Sequence, residues 1–513
     1  MAIGKSIGYR KKTALINLSV SFGSQILIML LNFISRTFFL RFLSSEYLGI
    51  NGLFTNILTV LSLAELGIGE AMIFAMYKPM KEGNTEQLAR LLNFYKKAYM
   101  YIAISVAAAG IIISFFLEHL VAEVPDIDEN FQLIFLLYLA NTVASYLLTY
   151  KRSLLLADQK RYVVVTIQTL FSVVQIVVQI LLLWVLRDFF TYLFVQIACL
   201  ILGNVAISLY VNKHYTSITS NTSLSLPKQE QSKIFSNIKA LSLTRIAGVI
   251  GSGTDNLIIS KMIGLTTVGL VSNYTLIINA INSLLWSALN GIVNSIGDFN
   301  VDSSIERRRS VFDQIYLASY IVFTFVGVCI VALVNPFIQL WLGPDFVMDI
   351  AIPFSLVLSI FIGGINFAAY SFRISLGYFK EVQWFYVAYA VLNIVLSIVA
   401  GKIWGAVGVF LATSISRLLT AEIADGYYIC KSALNRKPIT YYGRDIFSII
   451  TFTLLCLLTT FANSLIPGVG IGSFVVKCLI TVLIALTILL FIACKQKGFK
   501  DLLTYAGGIL KKK

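Results

Sequence analysis

Seven charged residues stand inside stretches that are otherwise apolar enough to cross a bilayer: Arg36, Glu65, Glu70, Arg245, Asp255, Arg417 and Glu422. A charge in hydrocarbon is expensive, so each is expected to face a cavity, an ion or a partner on another helix. The residue types define two chemistries. Arginine offers a planar fork of donors that matches phosphate oxygens, which makes Arg36, Arg245 and Arg417 candidate contacts for an anionic substrate. A buried carboxylate carries a proton, or binds sodium together with nearby carbonyls. Glu65, Glu70 and Asp255 are therefore candidate ion-coupling residues.

Each of these has a structural alternative. Arg417 falls roughly 16 Å along a helix starting near Ala406, close to mid-bilayer. It either contacts an anion in a watery cavity or makes a structural ion pair with Glu422 or a carboxylate on another helix. Glu422 is five residues on, which points it elsewhere on a straight helix. Glu65 and Glu70 project roughly 140° apart on a regular helix, and either can serve helix–helix hydrogen bonding near the inner interface. Arg36 can snorkel to the outer headgroups. Arg245 and Asp255 are about 15 Å apart along one helix, too far to pair directly. Gly248, Gly251 and Gly253 between them predict a bend or close packing.

No residue set points to catalysis or to a resident metal or cofactor. The cysteines Cys199, Cys329, Cys430, Cys456, Cys478 and Cys494 lie singly in or beside apolar runs, with no CxxC pair, and read as buried thiols. His119 and His214 sit in polar connections without zinc-ligand spacing. Asp126 and Asp128 form a DxD spacing by chance.

The elements that position these charges are membrane helices. Of 513 residues, 58% are hydrophobic and 13% charged, and the mean hydropathy is +0.83. A soluble domain carries about 25% charged residues, so the chain lacks the polar residues to cover a soluble core and its solvent is partly lipid. Spans are expected near 14–35, 47–77, 95–117, 130–150, 162–186, 189–211, 237–260, 270–297, 311–340, 350–372, 384–400, 406–430, 446–466 and 473–494, about 14 in all at about 20 residues each. The stretch from Arg36 to Pro79 is threaded with Gly49, Gly52, Gly67 and Gly69, which let helices approach closely or bend.

The net charge of +15 is a topology signal rather than a nucleic-acid patch. Lysines and arginines crowd one set of connections, with Arg10, Lys11, Lys12, Lys96, Lys97, Arg152, Lys160, Arg307, Arg308, Arg309, Arg373, Arg436 and Lys511 among them. The opposite connections carry Glu118, Glu123, Asp126, Asp128 and Glu129 instead. Both termini are expected in the cytoplasm. The cytoplasmic charges also suit anionic lipid headgroups, and the amphipathic tail from Gly498 to Lys513 either lies on the inner leaflet or is solvated.

An internal repeat organises the spans. A shift of about 220 residues sets Arg41 on Lys261, Gly49 on Gly269 and Phe54 on Tyr274, and a nearly equal shift sets Arg152 on Arg373. Two parallel six-helix halves follow, at 1–212 and 237–432, joined by a cytoplasmic connection at 213–236, with two extra helices and a basic tail at 433–513. Repeats of this kind enclose a midplane site and rock for alternating access. Asp255 matches position 35, beside Arg36, so these two are expected to face each other across the pseudo-two-fold axis.

In this frame EYLGINGLF, LSLAELGIG and MYKP, followed by LLNFYKKAYMYI, resemble the polysaccharide repeat-unit flippases of the Wzx type, in the multidrug/oligosaccharidyl-lipid/polysaccharide exporter superfamily. The resemblance implies a V-shaped cavity between the halves. It also implies movement of undecaprenyl-diphosphate-linked oligosaccharide from the inner to the outer leaflet of the bacterial cytoplasmic membrane, coupled to protons or sodium. Cationic side chains would hold the diphosphate and carboxylates would couple the ion. The motif carries Glu65 and Arg36; Arg245, Asp255 and Arg417 rest on burial alone. The implied partners are the lipid-linked oligosaccharide, membrane lipids, and a polysaccharide polymerase with its chain-length machinery; the transporter itself is expected to be a monomer. A cation-coupled multidrug antiporter of the same superfamily, a membrane-bound polymerase and a non-transporting assembly scaffold are the competing readings.

Overall fold

The computed structural model describes residues 7–65, 68–121, 127, 129–220, 224–232, 234, 249, 253–302, 304–376, 378 and 381–495. Among them the chain is helical, without strands. Backbone contacts divide it into two compact units, Met1–Gly269 and Leu270–Lys513.

The first unit holds α1 (Ile7–Phe42), α2 (Ser45–Leu61), α3 (Ile68–Glu82), α4 (Thr85–Ser114), α5 (Phe131–Tyr146), α6 (Thr149–Ala157), α7 (Arg161–Leu186), α8 (Phe189–His214), a short α9 (Thr216–Thr219) and α10 (Asp255–Met262). Helix α11 (Leu265–Asp302) starts in the first unit and runs into the second. The second unit continues with α12 (Ile305–Trp341), α13 (Ala351–Ile365), α14 (Phe367–Leu376), α15 (Gln383–Arg417), α16 (Ile423–Tyr428), α17 (Pro438–Ser464) and α18 (Ile471–Cys494). Polar caps start several of these helices. Asn84, Asn130 and Asp188 accept from the backbone N–H groups of Gln87, Leu133 and Thr191 at 2.9, 2.9 and 2.6 Å, satisfying donors that the first turn leaves open.

Nine helices among the described residues are long and apolar enough to span a bilayer, and two bent pairs, α5–α6 at 42° and α13–α14 at 47°, raise this to eleven. One of the nine, Gln383–Ala433, is 51 residues long. At about 1.5 Å per residue it would reach more than twice the thickness of the hydrocarbon core. The chain turns back at Gly405, whose φ of 60° and ψ of −141° are not helical, so this stretch crosses twice. Asn393 Nδ2 donates to Thr413 Oγ1 at 2.9 Å and Ser397 Oγ to the Val409 carbonyl at 3.5 Å across the turn. A side chain at Gly408 would run into the Ala400 carbonyl. The expected span at 47–77 is broken: α2 ends at Leu61, a 3-10 turn covers Ser62–Glu65, and α3 begins at Ile68. Most of the expected span at 237–260 and the basic tail lie outside the described residues.

The packing of α17 shows which solvent the fold is built for. Its exposed face carries Ile446, Ile450, Leu454, Leu457 and Phe461, while Ser448, Thr459 and Asn463 are buried. Asn463 Nδ2 donates to Thr481 Oγ1 of α18 at 3.0 Å. Apolar outside and hydrogen-bonded inside is the arrangement for lipid. The chain is a multi-pass membrane protein.

The repeat is visible in the helix starts. Ser45, Thr85 and Phe131 open α2, α4 and α5; Leu265, Ile305 and Ala351, each 220 residues later, open α11, α12 and α13. The bent pair recurs at this offset, so Arg152 on α6 corresponds to Arg373 on α14. The glycine stripe of α2 works as its composition implies. A Cβ at Gly49 would strike the Leu265 carbonyl, and one at Gly52 would lie 2.9 Å from Val268 Cγ1, so the start of α11 sits close against α2. Of the six thiols, all unpaired, Cys199, Cys430 and Cys456 are buried; Cys494 is exposed.

Candidate functional site

In the first unit the broken second span presents Glu65 at the end of its 3-10 turn. Tyr99 of α4 donates to Glu65 Oε1 at 3.3 Å, and the Arg152 guanidinium of α6 lies within its electrostatic reach. Tyr146 of α5 donates to Ser62 Oγ at 2.7 Å on the same turn. The half-buried carboxylate thus accepts from a tyrosine hydroxyl within the field of a cation, on a segment where the α-helix gives way to a 3-10 turn. Glu70 is in α3, and its side chain lies outside the described residues.

Arg36 is in α1, partly buried, in the field of the Tyr138 and Tyr192 hydroxyls. Tyr138 donates to Asn51 Oδ1 at 2.9 Å. Asp255 is the first residue of α10 and 7% exposed. Arg245 lies outside the described residues.

The second unit holds a dense buried polar cluster, and its centre is the segment after α15. Residues Leu418–Glu422 and Ile429–Ala433 form two π-helical turns on either side of α16. A π turn bonds i to i+5 and therefore stacks i+5 over i. This places Glu422 against Arg417, and Arg417 Nε meets Glu422 Oε1 at 2.7 Å. The expectation that Glu422 points elsewhere assumed 3.6 residues per turn; the π turn removes that premise. Arg417 is one-third exposed, whereas the Glu422 side chain is 6% exposed. The guanidinium lies over Gly363 of α13, where a Cβ would approach its Nη2, Nη1 and Cζ to 2.6–2.8 Å. A side chain at Gly363 would displace the guanidinium from this position.

One turn further, Asp425 pairs with Arg373 of α14, Nε to Oδ1 at 2.9 Å, with the two side chains 0% and 4% exposed. Asn366 Nδ2 and the Tyr386 hydroxyl donate to Asp425 Oδ2, each at 3.3 Å. Tyr441 of α17 donates to Asn366 Oδ1 at 2.8 Å. Asn366 is the residue at which α13 ends before the bend, so the bend supplies the polar group that anchors the pair. The rings of Tyr370 and Tyr386 flank the Arg373 guanidinium at 5.3 and 5.2 Å. Nearby, the Tyr316 hydroxyl donates to Asp445 Oδ1 at 2.8 Å.

At the end of the hairpin Asp313 of α12 accepts from both Arg436 and Arg444, at 2.8 and 2.7 Å, and Arg309 donates to the Leu434 and Asn435 carbonyls. The hydrogen bonds to Asp313 raise the Arg436 guanidinium above its usual range against partial burial.

The structure pairs Arg417 with Glu422 and Glu65 with the Tyr99 hydroxyl, with Arg152 in electrostatic reach of Glu65. Sequence reasoning singled out neither Asp425 nor Arg373. Arg373 counts as a cytoplasmic charge by the positive-inside rule, and its partner is 52 residues away. The available signal was an arginine bounded by YSF and ISL, too apolar a setting for a solvated charge.

No protein-family model matches the chain, and no curated protein matches it. Solved structures do. An inward closed conformation of the lipid II flippase MurJ superposes with a TM-score of 0.61 at 16% identity, covering 92% of this chain and 97% of that one. An inward-facing MATE-family multidrug resistance transporter of the MOP superfamily gives 0.60 at 14% identity, covering 82% and 99%. A MOP superfamily transporter from Pyrococcus furiosus with a binding pocket of reversed polarity gives 0.52 at 12% identity, covering 82% and 95%. At these identities the likeness defines the fold, which is that of the MOP-superfamily transporters.

Proposed function

We propose that this protein is a flippase for undecaprenyl-diphosphate-linked oligosaccharide repeat units. It carries them from the inner to the outer leaflet of a bacterial cytoplasmic membrane for surface polysaccharide synthesis, by alternating access coupled to an ion gradient. Its termini face the cytoplasm. The observation that carries the reading is Arg417. Its fork stands on a segment apolar enough to cross a membrane, one-third exposed and bonded through Nε alone among the described residues. Two terminal guanidinium nitrogens are left to meet an anion where water is scarce, and a diphosphate needs such donors to offset its desolvation. Among the solved relatives, the multidrug transporter is used up over 82% of this chain while the flippase reaches 92%, a difference on the scale of two helices. That favours a lipid-linked substrate over a drug. Within the first unit, Arg36 is a candidate anion contact in its own right, and Glu65, in the electrostatic reach of Arg152, is the ion-coupling group.

A deletion strain tests the reading. Lipid-linked repeat units should build up on the cytoplasmic leaflet, and wild-type protein but not Arg417→Gln should clear them, with both present in the membrane in equal amount. Absence of accumulation, together with a gained sensitivity to cationic drugs, would favour the multidrug antiporter instead.

A further inference from the structure

Glu422 is the unusual member of the cluster. Its Oε1 meets Arg417, but its second oxygen, Oε2, is buried without a hydrogen-bond partner among the described residues. A carboxylate taken out of water needs its remaining lone pairs met. Asp425, three residues on, also has one oxygen, Oδ1, without a hydrogen-bond partner among the described residues, but it has Arg373 at 2.9 Å and two donors on Oδ2, Asn366 and Tyr386; Glu422 has Arg417 alone. The two halves of its ion pair are also unequal. The arginine is open enough to be reached, and the glutamate is not. An anion arriving at Arg417 therefore competes with Glu422 for the same guanidinium, and the loser is a buried carboxylate with nothing else to hold its charge.

We propose that Arg417 and Glu422 form an exchange pair. A phosphate oxygen of the substrate takes the Arg417 fork, and Glu422, deprived of its counter-ion, takes one proton from the aqueous phase onto Oε2. Substrate binding and proton uptake are then one event, and release of the substrate returns Glu422 to Arg417 with loss of the proton. One O–H bond forms on binding and breaks on release; no other group changes. The groups that face Glu422 fit this role. Asp425 and Asp445 are the carboxylates within its electrostatic reach, and Tyr386 and Tyr441 contribute hydroxyls but no cation. Arg373 is committed to Asp425. The inference rests on the reading of Arg417 as the diphosphate contact and adds to it a protonation that accompanies binding; it does not replace the ion-coupling role proposed for Glu65.

The test uses the full chain in lipid nanodiscs and undecaprenyl-diphosphate-linked N-acetylglucosamine as probe, a diester without the titrating phosphate of a monoester. Calorimetry in buffers of different ionisation heat counts the protons. Wild type should take up one proton per probe bound, and its affinity should fall about tenfold per pH unit on the alkaline side. Glu422→Gln should bind at least as tightly, with no proton uptake and a flat pH profile. Uptake unchanged in Glu422→Gln, or wild-type binding with no proton, overturns the exchange pair. Uptake by wild type that vanishes when choline replaces sodium does so as well. Should Glu422→Gln fail to fold, the wild-type proton count and pH slope still decide. Failure of wild type to bind the probe at any pH removes the diphosphate reading itself, and the exchange pair with it.

Discussion

Asp425→Asn isolates the charge in the Arg373 pair, because the amide keeps the shape of the carboxylate and can still meet Asn366 and Tyr386. The variant leaves Arg373, 4% exposed, as a buried cation with one hydrogen bond, Nη2 to the Tyr386 hydroxyl at 3.1 Å. Removing one partner of a buried pair costs about 3–5 kcal/mol. The aromatic rings at 5.2 and 5.3 Å remain and retain about 1 kcal/mol or more of cation–π attraction in a dry site. The expected loss is therefore at the low end, about 3 kcal/mol, or a fall of about 6 °C at roughly 2 °C per kcal/mol. Thermal unfolding in a fixed detergent, followed by tryptophan fluorescence, measures it. Arg373→Met with Asp425→Leu should recover about 2 kcal/mol relative to the sum of the single changes. If Asp425→Asn stays within about 1 kcal/mol of wild type, or the double variant is the sum of its parts, the argument that this pair is held by its charge is wrong.

Gly405→Ala puts a Cβ on a backbone with φ of 60° and should cost about 1–3 kcal/mol; Gly443→Ala, helical and with nothing within 4 Å, should be neutral or slightly stabilising in the same scan. The segment at 224–231 is held on α4, with Arg90 Nη1 and Asn93 Nδ2 donating to the Ser225 and Leu224 carbonyls at 2.8 and 3.1 Å and Leu226 buried. Asn93→Ala with Leu226→Ala should open it to limited proteolysis while the helices stay protected, and unchanged cleavage would count against the clamp. In the turn between α6 and α7, burial alone would lower the Lys160 ammonium, but Asp158 and Tyr215 hold it above its usual range. A raised folded-state value means the stabilisation is complete below the ordinary lysine range and fades only as pH rises past it. Asp158→Asn should therefore lower stability equally from pH 6 to about 9 and lose its effect only at strongly alkaline pH.

How far the sequence carries depends on which physics each feature obeys. The close approach at Gly49 and Gly52 was legible because small residues in an apolar span have few other uses, and Leu265 and Val268 do lie against them. The repeat was legible at Arg152 and Arg373, and the helix starts at Leu265, Ile305 and Ala351 follow its offset. The Arg417–Glu422 pair was illegible for a definite reason. Periodicity arguments assume a constant turn, and a π segment inserts a residue without altering composition. The Arg373–Asp425 pair was illegible because both residues lie close to span ends, where a charge is ordinarily solvated, and only the bend at Asn366 carries them inward.

The turn at Gly405 has a consequence for how the protein is made. Asn393 and Ser397 find Thr413 and Val409 only on the far arm, so the first arm, entering the bilayer alone, would carry an unmet amide and hydroxyl into hydrocarbon. With no loop between the arms, both leave the ribosome within moments of each other. Residues 383–433 are thus built to partition from the translocon as a single folded hairpin, and a polypeptide spacer placed at Gly405 should delay integration even where the finished fold has room for it.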